Sequence, residues 1–182
     1  MENNHAHPTI KKIIRITNQD PANCYQCGKC SAGCPVRDYF DDAPNRVIRF
    51  VQLGMYDRAL TSKAIWLCAG CQTCSSRCPQ NFEPAKFMDA LREIAAEEGI
   101  APSDKNVQKF HKAFLNQIKN NGRSFELGLI RDYKLATGKL FQDIDAAPTA
   151  ILKGKIGFTP HKIKDTKKIK LIIDKVVKGN SK

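Results

Sequence analysis

No apolar run in this 182-residue sequence approaches the about 18 residues that a bilayer crossing needs, so no membrane span is expected. The start, from Met1 to His5, shows no basic segment followed by an apolar stretch, so no export signal is expected either. There is no G-x-G-x-x-G fingerprint, which argues against a flavin or dinucleotide fold in this chain. Adjacent cysteine pairs are also missing, and no cysteine lies outside two short runs. Without export, disulfides are a poor use for cysteines, so metal ligation in a reducing cytoplasm is the preferred reading. A hydrophobic content of 42% with 26% charged residues excludes a disordered chain.

What is present is a duplication. Cys24, Cys27, Cys30 and Cys34 precede Pro35, and Cys68, Cys71, Cys74 and Cys78 precede Pro79, at a constant offset of 44 residues. Each run reads C-x2-C-x2-C-x3-C-P, the spacing with which chains hold cubane iron–sulfur clusters. Three close thiolates wrap three corners of a cubane from one loop. The intervening residues are mostly small, and Gly28, Gly33 and Gly70 open conformations that let amides approach the sulfurs. Proline pushes its predecessor towards extended geometry, turning Cys34 and Cys78 away from their own loops. In two-cluster ferredoxins the fourth cysteine serves the other cluster. On that pattern one [4Fe–4S] cluster takes Cys24, Cys27, Cys30 and Cys78, and the other takes Cys68, Cys71, Cys74 and Cys34. Structural zinc fits less well, because it takes C-x2-C pairs separated by a longer gap. Lys29 and Arg77 lie inside the runs, where they either favour the reduced clusters or point into water.

The rest of the chain reads as mainly α. Ile10, Ile13 and Ile14 suit a helix ahead of the first run. His5 and His7 read as mobile and are given no role. In the bridge, residues 35–67, Asp42 and Pro44 mark a helix start, and Val47, Ile48, Val51 and Leu53 give its apolar face up to Gly54. Short helices follow from Tyr56 to Leu60 and from Ser62 into the second run. Glu83-Pro84 opens a helix carrying Phe87, Met88, Leu91, Ile94 and Ala95, closed by Gly99. Ser103-Asp104 caps the next, whose stripe is Val107, Phe110, His111, Phe114, Leu115 and Ile118; His111 reads as a packed core histidine. Another helix spans Glu126 to about Thr137. Residues 143–160 read as an irregular linker, followed by a basic helix with Ile169, Ile172, Ile173, Val176 and Val177 on one face. The domain reading is therefore an α-helical ferredoxin over 1–100, a helical extension packed on it over 101–142, and a linker with a basic helix over 143–182. For that helix docking on a partner is preferred to a membrane surface, and packing on the chain's own core is the plain alternative.

The formal charge of +12 counts every cysteine as a neutral thiol. Two oxidised cubanes on thiolates, about −2 each, bring it to about +8. The lysine surplus towards the C-terminus suits an acidic protein partner or a solvated face better than nucleic acid.

The words around the cysteines, C-Y-Q-C-G-K-C-S-A-G-C-P-V (24–36) and W-L-C-A-G-C-Q-T-C-S-S-R-C-P-Q (66–80), with R-V-I-R-F-V-Q-L-G-M (46–55), closely resemble the C subunit of heterodisulfide reductase from methanogenic archaea. The likeness is strong over about residues 10–100; beyond them the G-K-I…P-H-K-I-K stretch (154–164) adds to it. The resemblance implies an α-helical two-cluster protein that passes electrons from a flavin- and cluster-bearing A subunit to a B subunit. That B subunit reduces the coenzyme M–coenzyme B disulfide on non-cubane clusters. A hydrogenase or formate dehydrogenase joins soluble versions. The cysteine pattern alone is shared with iron–sulfur subunits of succinate dehydrogenase and of glycerol-3-phosphate and glycolate enzymes. The iron–sulfur subunit of a glycerol-3-phosphate, glycolate or fumarate-type dehydrogenase, passing electrons towards quinone, is the alternative. With all eight cysteines assigned, this chain has no ligands left for a disulfide-reducing centre and reads as an electron carrier without a substrate site.

Overall fold

The computed structural model describes residues 7–102, 104–138 and 159–179. They separate into two compact units, 1–104 and 105–182. Every regular element among them is a helix, with no strand among the described residues.

In the first unit, α1 (Pro8–Thr17) starts with Pro8 at its first position and buries Ile10 and Ile13. His7 is not idle. Its Nδ1 accepts the Thr9 amide at 3.3 Å, capping α1, while its ring stacks on Tyr56 at 3.9 Å. Two four-residue helices sit inside the cysteine runs, α2 (Lys29–Ala32) and α6 (Thr73–Ser76), and pack on each other. Between the runs stand α3 (Pro44–Gln52), α4 (Tyr56–Thr61) and α5 (Lys63–Leu67), so the bridge is helical as its periodicity predicts. The start of α3 differs from expectation. Its N-cap is Ala43, which makes no side-chain cap, and Asp42 instead pairs with Arg46 (3.4 Å) and Arg58 (3.9 Å).

After the second run comes α7 (Pro84–Glu97), which packs against α1, α3, α4, α5 and α6. Phe87, Met88, Leu91, Ile94 and Ala95 are fully or almost fully buried there, the i, i+3, i+4 face that apolar periodicity marks out. Their burial, with Val47, Ile48, Val51, Leu60 and Ile65, forms one continuous core. At about 1.5–3 kcal/mol per large side chain, this burial is a large favourable term in packing the helices that flank the cysteine runs.

The second unit holds α8 (Lys105–Asn121), α9 (Glu126–Thr137) and α10 (Thr166–Gly179). Here the expected stripe is wrong. The buried residues of α8 are Ala113, Gln117 and Asn121, while Phe110 (42%) and Leu115 (48%) stay exposed and His111 is half-buried. The physical reason is a polar interface with α9. Gln117 Nε2 donates to Asp132 at 2.5 Å, Asn121 Nδ2 donates to Gln117 Oε1 at 3.0 Å, and Gly128 lets α9 approach closely over Gln117. Buried amides are retained because each finds a partner. Gly122, at φ +77°, ends α8 in the left-handed region and leaves room for Ile163, whose N–H donates to the Asn121 carbonyl. A Lys119–Asp174 ion pair ties α8 to α10. On α10, Ile169 and Ile173 are half-buried, whereas Ile172 and Val176 are exposed rather than sharing their face. Ser103, most of the linker over 143–160 and the Val177 side chain lie outside the described residues.

Candidate metal centre

The duplication extends to backbone conformation. In the first run Gln26 (φ +65°) and Gly28 (φ +77°) are left-handed; 44 residues on, Gly70 (φ +62°) and Gln72 (φ +62°) are too. Glycine and glutamine exchange places, so the loop shape, not the residue type, is what repeats. One left-handed residue bends each C-x2-C segment, two per run, so that amides face the sulfurs. The N–H of Gln26 points at Cys24 Sγ and that of Gly70 at Cys68 Sγ. Gly33 works differently from expectation. Its φ is ordinary at −102°, and its role is to have no Cβ, because the Arg77 side chain of the other run lies across it.

Two cavities in this unit are each lined by four cysteines. One is lined by Cys24, Cys27, Cys30 and Cys78, with Ile48 and Phe82 among its walls and about 290 Å³ of empty space, mouth included. The other is lined by Cys34, Cys68, Cys71 and Cys74, with Phe40 and Met88, and holds about 380 Å³ counted the same way. Each therefore gathers three cysteines from one run and the fourth from the other. Cys27 and Cys71, equivalent in the repeat, are both exposed, and Cys30 is buried. Pro84, in the first turn of α7, lines both cavities.

The donor set suits a cubane. Four soft thiols and mostly apolar walls surround each space, and neither lining contains a carboxylate or histidine. The thiols are spread around a volume instead of converging on a point: among the described residues no three His, Cys, Asp or Glu close into a single-ion site. Desolvation pushes Cys24, Cys30, Cys68 and Cys74 up, with Cys78 adding to the effect at Cys24 and Cys34 at Cys68. Crowded, dry thiols resist ionising alone, so bound iron must supply the compensating positive charge. Exposed Cys71 is the reverse case, held below the ordinary thiol value by the Thr73 hydroxyl, 3.4 Å from its sulfur, and the Thr73 amide.

Side chains on α3 and α7 brace the loops, and periodicity alone did not reveal them. Gln52 Nε2 donates to the carbonyls of Pro21 (2.8 Å) and Cys24 (2.7 Å). Ser31 Oγ donates to Asn45 Oδ1 at 2.5 Å and accepts the Asn45 amide at 3.1 Å. On the second loop, Arg92 Nε donates to Ile65 O (2.7 Å) and Nη2 to Cys68 O (3.0 Å). A signal was available: Pro44 and Pro84 open helices 40 residues apart, and Gln52 and Arg92 each lie eight residues further on. The repeat continues past the cysteines.

Residues 23–83 match the 4Fe-4S dicluster domain. Among curated proteins, the chain is 38% identical over 94 residues to the C subunit of the ferredoxin:CoB-CoM heterodisulfide reductase of Methanosarcina acetivorans, covering 50% of this chain and 37% of that one. It is 34% identical over 105 residues to the C 2 iron–sulfur subunit of the CoB–CoM heterodisulfide reductase of Methanocaldococcus jannaschii (57% and 56%). The C2 subunit of the H(2)/formate:CoB-CoM heterodisulfide,ferredoxin reductase of Methanococcus maripaludis is 37% identical over 90 residues (50% and 45%). The matches span about half the length of these relatives. The resemblance to the C subunit of heterodisulfide reductase holds, and the chain is a helical protein with two [4Fe–4S] clusters.

Proposed function

We propose that this chain is the electron-relay subunit of a CoB–CoM heterodisulfide reductase complex in the cytoplasm. It takes single electrons from a flavin-bearing A subunit and hands them to the B subunit that reduces the heterodisulfide. The names of the relatives support this assignment, and the H(2)/formate name of one of them supports a hydrogenase or formate dehydrogenase as a further partner. The clusters supply reversible one-electron exchange. The chain's own residues do the rest: two loops hold them, apolar walls exclude water, and the core keeps them neighbours. The single observation that carries the relay is Pro84, which walls both cavities and so puts the two sites side by side.

The ligand sets we propose are Cys24, Cys27, Cys30 and Cys78 for one cluster and Cys68, Cys71, Cys74 and Cys34 for the other. The composition of the two cavity linings supports this crossing. Exposed Leu171, Ile172 and Val176 on α10 support its reading as a surface for a protein partner. Among the described residues no helix is long and apolar enough to cross a membrane.

Anaerobic purification with native partners tests the assignment. A flavoprotein and a protein with non-cubane clusters should accompany the chain, with about eight iron and eight labile sulfides on it. Recovery with a lipid-embedded quinone-reducing partner would refute it. Replacing Cys34 by Ser tests the crossing: the Cys68–Cys71–Cys74 cluster should be damaged while that of Cys24–Cys27–Cys30 survives, and the opposite loss would refute crossed ligation.

A further inference from the structure

The two halves put different chemistry at one equivalent point. Gln52 and Arg92 occupy the same place in their helices and donate to equivalent acceptors: the carbonyl of the first cysteine of the run and the carbonyl three residues before it. One clamp is a neutral amide. The other is a guanidinium, which does not lose its charge in a protein.

The surroundings do not cancel this difference. Arg49 Nη1 donates to Gln52 Oε1 at 3.1 Å, and Asp89 pairs with Arg92 Nη1 at 3.3 Å, so a charged side chain adjoins each clamp. Arg49 and Asp89 are both exposed and so act more weakly than Arg92, which is half-buried against the loop, but Asp89 still offsets part of its charge. Arg77 reaches from the second run across Gly33 of the first, so it belongs to neither half alone.

Adding an electron makes a cluster site more negative by one charge. A fixed, partly desolvated cation beside it favours that reduced form. We infer that Arg92 is a positioning and tuning residue that gives the cluster held by Cys68, Cys71 and Cys74 the higher reduction potential. The relay is then polarised, with an electron resting preferentially on the second run. This rests on the two-cluster reading but not on crossed ligation, because those three cysteines share a cluster either way.

The test is a potentiometric titration of the anaerobic holo chain followed by electron paramagnetic resonance. Arg92→Gln installs the first half's clamp in the second. One couple should fall, by about tenfold in its reduced-to-oxidised ratio at fixed potential, or about 59 mV for one electron, and the other should stay. The couple that moves should be the one missing from a Cys74→Ser chain. Arg92→Lys, which keeps the charge, should restore most of the shift. Asp89→Asn, which leaves both carbonyl contacts in place, should raise the same couple.

Full iron content with unmoved potentials in Arg92→Gln would overturn the inference, as would an equal shift of both couples. If Arg92→Gln loads iron poorly, Asp89→Asn decides, and an unchanged or lowered couple there counts against it. An unmutated chain with only about four iron would sink the two-cluster reading, and this inference with it.

Discussion

Asp41 holds the start of α5, the helix that delivers the chain to Cys68. Its Oδ2 accepts the Lys63 amide at 2.8 Å; its Oδ1 accepts the Asp42 amide at 2.8 Å, the Ser62 hydroxyl at 2.8 Å and the Ala64 amide at 3.3 Å. A hydrogen bond to a charged group is worth about 1.5–3 kcal/mol, but these four share one partly exposed carboxylate and do not add. Ser62 Oγ also accepts the Ala64 amide at 3.2 Å, so that donor keeps a partner when Asp41 is removed. The net loss in Asp41→Ala is therefore about 2 kcal/mol, the upper range of a lost helix cap. For a unit of this size that lowers the melting temperature by roughly 8–16 °C, measured by circular dichroism on the anaerobic holo protein. Hydrogen exchange at the Lys63 amide should quicken by roughly 5- to 30-fold. Burial alone would push the Asp41 carboxyl up, but the Lys63 amide, the Ser62 hydroxyl and the other amides outweigh it and hold it below the ordinary carboxylate value. A carboxyl lowered by folding contributes stability that is complete above its unfolded pKa and lost as pH falls through the folded one. The deficit of Asp41→Asn should thus stay constant from about pH 5 to about pH 8 and close only in stronger acid. A melt of Asp41→Ala within about 2 °C of the native chain would refute the reasoning, since that is less than about 1 kcal/mol here. So would a deficit that shrinks between those two pH values.

Ile48 is fully buried and also walls the Cys24 cavity, so Ile48→Ala should cost about 2–5 kcal/mol and speed oxygen bleaching of that cluster before the other. Thermal melts and selective loss of one paramagnetic signal check both halves of that statement. Gly122→Ala meets two penalties, a left-handed backbone and the Ile163 side chain, and should destabilise the second unit by about 2 kcal/mol or more. Proteolysis confined to residues beyond 105, with cluster spectra unchanged, is the expected signature.

Much of the first unit was legible because its signals are local and redundant. Pro44 and Pro84 mark helix starts, Gly54 and Gly99 mark ends, and the faces of α3 and α7 repeat at helical spacing. The second unit was less legible, because α8 turns a face of Ala113, Gln117 and Asn121 inward. A hydrophobic stripe cannot report a contact made of paired amides over a glycine. His7 was read as mobile for a similar reason: its stacking on Tyr56 depends on a residue 49 positions away, although its cap on the Thr9 amide is local. Within the metal centre, the cysteine spacing announced the chemistry, whereas Gln52 and Arg92 answer carbonyls that only the folded loops present.

The ring of Pro84 has no rotatable arm, no titrating atom and no proton to donate, and it is buried in the first turn of α7. A partition of that kind cannot swing aside or change its charge with acidity. On the proposed ligation, the separation of the two cavities at this point is consequently set by main-chain placement, while Cys27 and Cys71 are the cysteines that meet solvent.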